Sequence, residues 1–161
     1  MKNNFKDLIF YILITLIVGS FPSIFVYSNN FYDYINKPIF SPPGFIFPIV
    51  WFILFALMGI SIYLVTRKSS DKKYIKVYFL QLLVNTLWTP LFFGFKSFFL
   101  SLICLFILIV LVIKMIYLFY KENKLSSYLN IPYLVWLLFA FYLNFSILIL
   151  NSWFLYKKVL D

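Results

Sequence analysis

Apolar residues gather in five long runs along the chain, roughly 8–27, 45–65, 74–93, 98–118 and 132–155. Each is close to the twenty or so residues that a helix needs to cross the hydrocarbon core of a bilayer. Polar gaps separate them: charged loops at 67–76 and 121–130, a tight turn at 94–97, and a longer segment at 28–44 rich in aromatics and proline. A span surrounded by lipid must satisfy its backbone hydrogen bonds internally, so every run is predicted to be helical. The pattern therefore predicts an all-α integral membrane protein, a five-transmembrane-helix bundle forming a single domain over residues 1–161. The first run is long enough to span and no small-residue cleavage site follows it, so it reads as a span and not as a cleaved signal.

Polar positions inside the runs carry a second pattern. In the fifth span Trp136, Ala140, Asn144, Ile147 and Asn151 recur at spacings of four, four, three and four, which is one helical face. In the third span Gln81, Asn85, Trp88 and Phe92 repeat it, and the second span presents Trp51, Phe55, Met58 and Ile62. Amides and indoles are costly toward lipid, so these faces are expected to point into the bundle. Two uses are open at this point. Rings with a few amides can line a pocket for a flat apolar ligand. The same amides can simply tie helices together, at about 0.6 kcal/mol for each interhelical hydrogen bond.

Composition agrees with lipid as the solvent. Hydrophobic residues make up 64% of the chain and charged residues 12%, with a mean hydropathy of +0.96, against roughly 45–50% apolar and about 25% charged in soluble domains. So small a soluble body has too much surface to hide that excess. The net charge of +9 lies in the gaps between spans, which reads as a topology signal and argues against a nucleic-acid partner. Nine Lys and Arg (Lys2, Lys6, Arg67, Lys68, Lys72, Lys73, Lys76, Lys121, Lys124) fall on one side and four (Lys37, Lys96, Lys157, Lys158) on the other. The excess predicts a cytoplasmic N-terminus and an outside C-terminus in the cell membrane. Lys114 lies near the cytoplasmic end of the fourth span, within reach of the interface by snorkelling. Tyr11, Tyr27, Tyr117, Tyr120 and Tyr156 are expected in the interfacial belts.

Several chemistries drop out. The chain has no His and one Cys, Cys104, which removes intramolecular disulfides, Ser/His/Asp catalysis and the commonest metal ligand. No Asp or Glu falls within a span, and ion-coupled pumps usually need an intramembrane carboxylate. No metal site and no cofactor are expected. Helix breakers sit at Pro22 and Pro90 inside spans, with Pro48 in the first turn of the second, where proline is tolerated.

Three blocks resemble the TspO/MBR (translocator protein, tryptophan-rich sensory protein) family. The first contains Phe31-Tyr32, Lys37-Pro38, Pro42-Pro43, Pro48, Trp51, Met58-Gly59 and Tyr63-Leu64-Val65; the second reads QLLVNTLWTPLFFG from Gln81; the third reads PYLVWLLFAFYLNFSILILN from Pro132. They occur in the family's order and spacing. The resemblance implies a five-helix bundle, often a homodimer, with a pocket beneath the first loop. It implies ligands such as porphyrins, sterols and benzodiazepine-type molecules and, in some bacterial members, light-dependent breakdown of protoporphyrin IX through pocket tryptophans. Carried over by position, the ligand-binding set is Tyr32, Trp51, Asn85, Trp88, Phe92, Trp136, Ala140 and Asn144, with Trp51 and Trp136 matching the tryptophans tied to porphyrin chemistry. The chain departs from the family pattern where Phe31, Phe40 and Phe45 replace frequent Trp and Phe55 a frequent Tyr. Stacking survives the three Trp-to-Phe changes, but an indole donor and an easily oxidised ring are lost at each. Leu148-Ile149 stand where many members have Trp-Arg of the proposed sterol motif, so specific sterol recognition is not expected.

Three functions follow as expectations: a sensor or carrier binding porphyrins, tetrapyrroles or similar flat apolar molecules; a light- or oxidant-dependent porphyrin-degrading enzyme using Trp51 and Trp136; and a structural membrane subunit without a small ligand, whose sign would be a pocket filled by the chain's own side chains.

Overall fold

The structure is a computed structural model that describes residues 5–25 and 31–160. The belt tyrosines Tyr27 and Tyr156, the side chain of Phe31, and Lys2, Lys157 and Lys158 of the charge comparison lie outside the described residues and side chains. Helix α1 spans Phe5–Ser20 and passes into a 3₁₀ turn, Phe21–Phe25. A short α2, Phe31–Tyr34, lies in the first loop, and α3 (Ile46–Thr66), α4 (Lys72–Thr89), α5 (Phe98–Glu122), α6 (Lys124–Tyr128) and α7 (Ile131–Leu160) follow. Among the described residues there is no strand, and five helical segments are long and apolar enough to cross a membrane. The all-α, five-span reading of the sequence holds.

Local chemistry explains the boundaries. Pro22 sits in the 3₁₀ turn that ends α1, where its missing N–H and fixed φ oppose a continuing α-helix. The prolines of the first loop close turns, with Ser41 N–H donating to Pro38 O at 3.0 Å and Ile46 N–H to Pro43 O at 3.0 Å. Asp71 caps α4 by accepting from Lys73 N–H at 2.9 Å, and this pairing with Lys73 holds its carboxyl below the usual carboxylate range. Pro90 starts a π-helical turn, Pro90–Gly94, in which Phe95 N–H reaches back to Pro90 O at 2.8 Å. Lys96 then turns the chain with φ of 54°. Asn123 leaves the helical region (φ −151°, ψ 107°), ending α5, and caps α6 through Leu125 N–H at 3.1 Å. Neither the π turn nor α6 was anticipated from the hydrophobic pattern.

The helices pack in the order α3, α1, α4, α5, α7, and α6 fastens α7 back to α3. There Ser61 Oγ donates to Ser126 O at 2.9 Å and Asn130 Nδ2 donates to Ser61 Oγ at 2.5 Å. Gly59 brings α3 against α1: a Cβ at this position would stand 2.6 Å from Ile12 Cα. The core is apolar, with Met58, Ile62, Leu82, Leu108, Val112, Met115, Phe119 and Leu137 fully buried. Along one face of α4, four polar residues each reach another helix. Asn85 and Gln81 both contact Tyr133 of α7, Tyr78 bonds Thr15 of α1, and Tyr74 donates to Glu122 of α5.

Candidate ligand pocket

The three faces read from spacing all turn inward. Phe55, Met58 and Ile62, then Gln81, Asn85, Trp88 and Phe92, then Ala140, Asn144, Ile147 and Asn151 are buried, and Trp51 and Trp136 are half-buried. Above them, at the end where α1 stops and α3 starts, the bundle encloses a cavity of about 390 Å³. Its walls come from the end of α1 and its 3₁₀ turn (Gly19, Ser20, Ser23), the first loop (Tyr32, Gly44), the start of α3 (Phe47, Pro48, Trp51, Phe52, Phe55) and the end of α4 (Asn85, Trp88, Thr89, Phe93).

The walls are built of paired rings. Trp51 stacks on Phe55 with centroids 5.2 Å apart and meets Tyr133 edge-on at 6.1 Å. Trp88 stacks on Phe92 at 5.4 Å and meets Phe93 edge-on at 6.1 Å. Tyr32 closes the loop side, edge-on to Phe47 at 5.5 Å, with Lys37 Nζ 4.5 Å over its ring. Gly19 makes room for this arrangement, because a Cβ there would lie 2.4 Å from the Phe55 ring. Ring pairs of this kind favour one another's placement, and they give the cavity aromatic faces on two sides.

Polar groups are few and specific. Asn85 Nδ2 donates to the Tyr133 hydroxyl at 2.7 Å, and that hydroxyl donates to Gln81 Oε1 at 3.0 Å. This chain fixes the amide of Asn85 at the pocket wall. The indole N–H groups of Trp88 and Trp136 are buried without a hydrogen-bond partner among the described residues. Buried donors usually find an acceptor, and Trp88 carries its unpartnered N–H on a residue that lines the cavity. The loop above is tied to α7: Asn151 Oδ1 accepts from Asn36 N–H at 3.0 Å, and its Nδ2 donates to Asn36 O at 2.9 Å. Among the described residues no cluster of three His, Cys, Asp or Glu could hold a metal ion.

A profile of the TspO/MBR family matches residues 11–150. The chain belongs to the TspO/MBR family. It is 35% identical over 153 residues to the Tryptophan-rich protein TspO of Archaeoglobus fulgidus, covering 92% of this chain and 99% of that protein. It is 33% identical over 123 residues to a Tryptophan-rich sensory protein of Cereibacter sphaeroides (76% and 78% covered). The human Translocator protein is 30% identical over 123 residues, with 73% of each chain covered.

The eight residues carried over from the TspO/MBR pattern divide in the structure. Tyr32, Trp51, Asn85 and Trp88 line the cavity. Phe92 stands behind Trp88, and Trp136 stands behind Phe47 with ring centroids 5.8 Å apart. Ala140 and Asn144 are buried on α7 and are not among the lining residues. Asn144 is occupied across the helix interface, its Nδ2 donating to Ser101 Oγ of α5 at 3.0 Å. Spacing turned both amides inward without dividing them: Asn85 lines the cavity, and Asn144 ties α7 to α5. Gly19, Ser20, Ser23, Phe47, Thr89 and Phe93 were missed. No spacing signal marks them, because they join the wall only through the packing of α1 against α3 and α4.

Proposed function

We propose that this multi-pass membrane protein binds porphyrins, or similar flat apolar tetrapyrroles, in the cavity between Trp51 and Trp88, and acts as a sensor or carrier for them. The observation that carries this reading is an open cavity of about 390 Å³ walled by Trp51, Phe55, Trp88 and Tyr32, with a single amide, Asn85, at its wall. Such a site suits a flat ring with few polar atoms, and its volume falls in the range of small-molecule pockets. The Asn85 amide and the Trp88 indole N–H supply the groups that would orient it, and Lys37, 4.5 Å over the ring of the wall residue Tyr32, would contribute a positive charge toward an acidic substituent. That the cavity is open argues against a purely structural subunit. The names of two relatives, a sensory protein and a translocator, agree with a ligand-reading role.

We further propose that the N-terminus is cytoplasmic, which the Lys and Arg bias supports, that the membrane is the cell membrane, and that the protein is a homodimer, which the family resemblance supports. A second reading is favoured by one contact. Trp51, at the cavity, touches Phe55 and Tyr133, so an easily oxidised ring adjoins the site, as porphyrin photodegradation would require.

The test is a dark titration of the purified protein with protoporphyrin IX, followed by absorbance and then by illumination of the complex. Saturable binding with a spectrum stable in light supports the sensor or carrier. Bleaching faster than that of the free porphyrin selects the enzyme. No saturable binding removes the tetrapyrrole.

A further inference from the structure

The end of the bundle opposite the cavity gathers cations. Arg67 and Lys68 follow the end of α3, α4 begins with Lys72, Lys73 and Lys76, and α5 and α6 meet at Lys121 and Lys124. Two ties bring these ends onto one surface. The Tyr74 hydroxyl donates to the Glu122 carboxylate, joining α4 to α5, and Ser61 bonds Ser126, joining α3 to α6. All seven basic side chains are exposed. The two carboxylates among them, Asp71 and Glu122, are engaged locally, Asp71 with Lys73 at 2.8 Å and Glu122 with Tyr74.

Four of the cations are held over tyrosine rings: Arg67 over Tyr63 at 5.6 Å, Lys73 over Tyr74 at 4.8 Å, Lys121 over Tyr117 at 4.4 Å and Lys124 over Tyr120 at 5.6 Å. Such contacts fix long side chains that would otherwise lose rotamer freedom on meeting an anion. Directly along α5 from Lys121 runs an exposed apolar stripe, Tyr117, Ile113, Val110 and Phe106, at helical spacing. A topology signal needs only the number of Lys and Arg on one side. Here four of the cations are also oriented, and one of them, Lys121, leads directly into an apolar face, with Lys72 and Lys76 exposed on the neighbouring α4.

We infer that this end of the bundle is a binding surface for anionic phospholipids, the phosphate headgroup meeting Lys72, Lys76, Lys121 and Lys124 and the acyl chain lying along the α5 stripe. A soluble phosphate would use the cations but not the stripe. The surface is separate from the cavity and stands whatever ligand the cavity takes.

The experiment reconstitutes the full chain in nanodiscs of mixed phosphatidylcholine and phosphatidylglycerol and quantifies the lipid retained on the released protein by mass spectrometry. The expected result is phosphatidylglycerol enriched over the bulk mixture by about fivefold or more, the factor one Lys contributes near an anionic surface, and reduced by high salt. The combined Lys72→Gln, Lys76→Gln, Lys121→Gln and Lys124→Gln variant returns the ratio to bulk, while Lys96→Gln at the other end leaves it enriched. Glycerol phosphate in solution does not displace the lipid. Retained lipid that mirrors the bulk, enrichment that survives the four substitutions or falls equally with Lys96→Gln, or full displacement by glycerol phosphate overturns the proposal.

Discussion

Asn151 of α7 holds the backbone of Asn36 from both sides, accepting from its N–H at 3.0 Å and donating to its carbonyl at 2.9 Å. The third hydrogen bond of this amide, to Ile147 O at 2.7 Å, anchors it to its own helix. The first loop, which carries Tyr32 and Gly44 of the cavity wall, is thereby fastened to the helix that closes the bundle. Asn151→Ala removes both bonds and leaves the Asn36 groups to find water, at about 1–3 kcal/mol of local stability. Amide hydrogen exchange over residues 35–45 is expected to accelerate, and ligand to dissociate faster, with the thermal midpoint of the bundle changed little.

Gly19 and Phe55 are a matched pair. Adding a methyl group at Gly19 puts it 2.4 Å from the Phe55 ring, which is stacked on Trp51. Gly19→Ala is expected to cost about 1–3 kcal/mol as overpacking and to narrow the cavity. The smaller ring-free side chain of Phe55→Leu should relieve it. A double-mutant cycle in thermal stability and ligand affinity checks this, and additive effects would disconnect the two residues.

Tyr133 links Asn85 to Gln81 through one hydroxyl. Tyr133→Phe leaves a buried donor on Asn85 and a buried acceptor on Gln81 without that partner, a loss of about 1–3 kcal/mol. The Asn85 amide is also freed at the pocket wall, so ligand affinity falls along with stability. Asn85→Ala added to Tyr133→Phe should cost less than the sum of the two, measured by thermal unfolding in detergent.

Asn144 should behave differently. Its amide is spent on Ser101, away from the cavity lining. Asn144→Ala is expected to lower stability by roughly 0.6–1.7 kcal/mol, the range of interhelical hydrogen bonds in membranes, and to leave ligand affinity within twofold of the parent. Equal losses of affinity for Asn144→Ala and Asn85→Ala would place both at the ligand.

The five spans were legible because lipid imposes a length and a composition that a sequence displays directly. The inward faces were legible for a related reason. Asn85, Asn144 and Asn151 have nowhere to go but the interior, and the helical repeat then orients Trp88 and Trp136 with them. What the sequence concealed depends on contacts between distant backbone segments. The tie between Asn36 and Asn151 pairs a side chain with main-chain atoms 115 residues away, and no residue pattern marks a backbone acceptor. Gly19 is a wall residue only because α1 happens to lie beside α3, an order of packing that periodicity does not contain. Pro90 announced a disturbance of α4, but its resolution as a π turn with Phe95 was set by the turn that follows at Lys96.

The central claim is that a flat tetrapyrrole sits in the cavity against Trp51, with Trp136 one ring removed behind Phe47. The most direct measurement is quenching of tryptophan fluorescence by protoporphyrin IX in the dark, compared among the parent protein, Trp51→Phe and Trp136→Phe. The account predicts saturable quenching, with less of it and weaker binding in Trp51→Phe, and binding by Trp136→Phe close to that of the parent. Absence of saturable quenching in the parent, or a larger loss of affinity in Trp136→Phe than in Trp51→Phe, would contradict it.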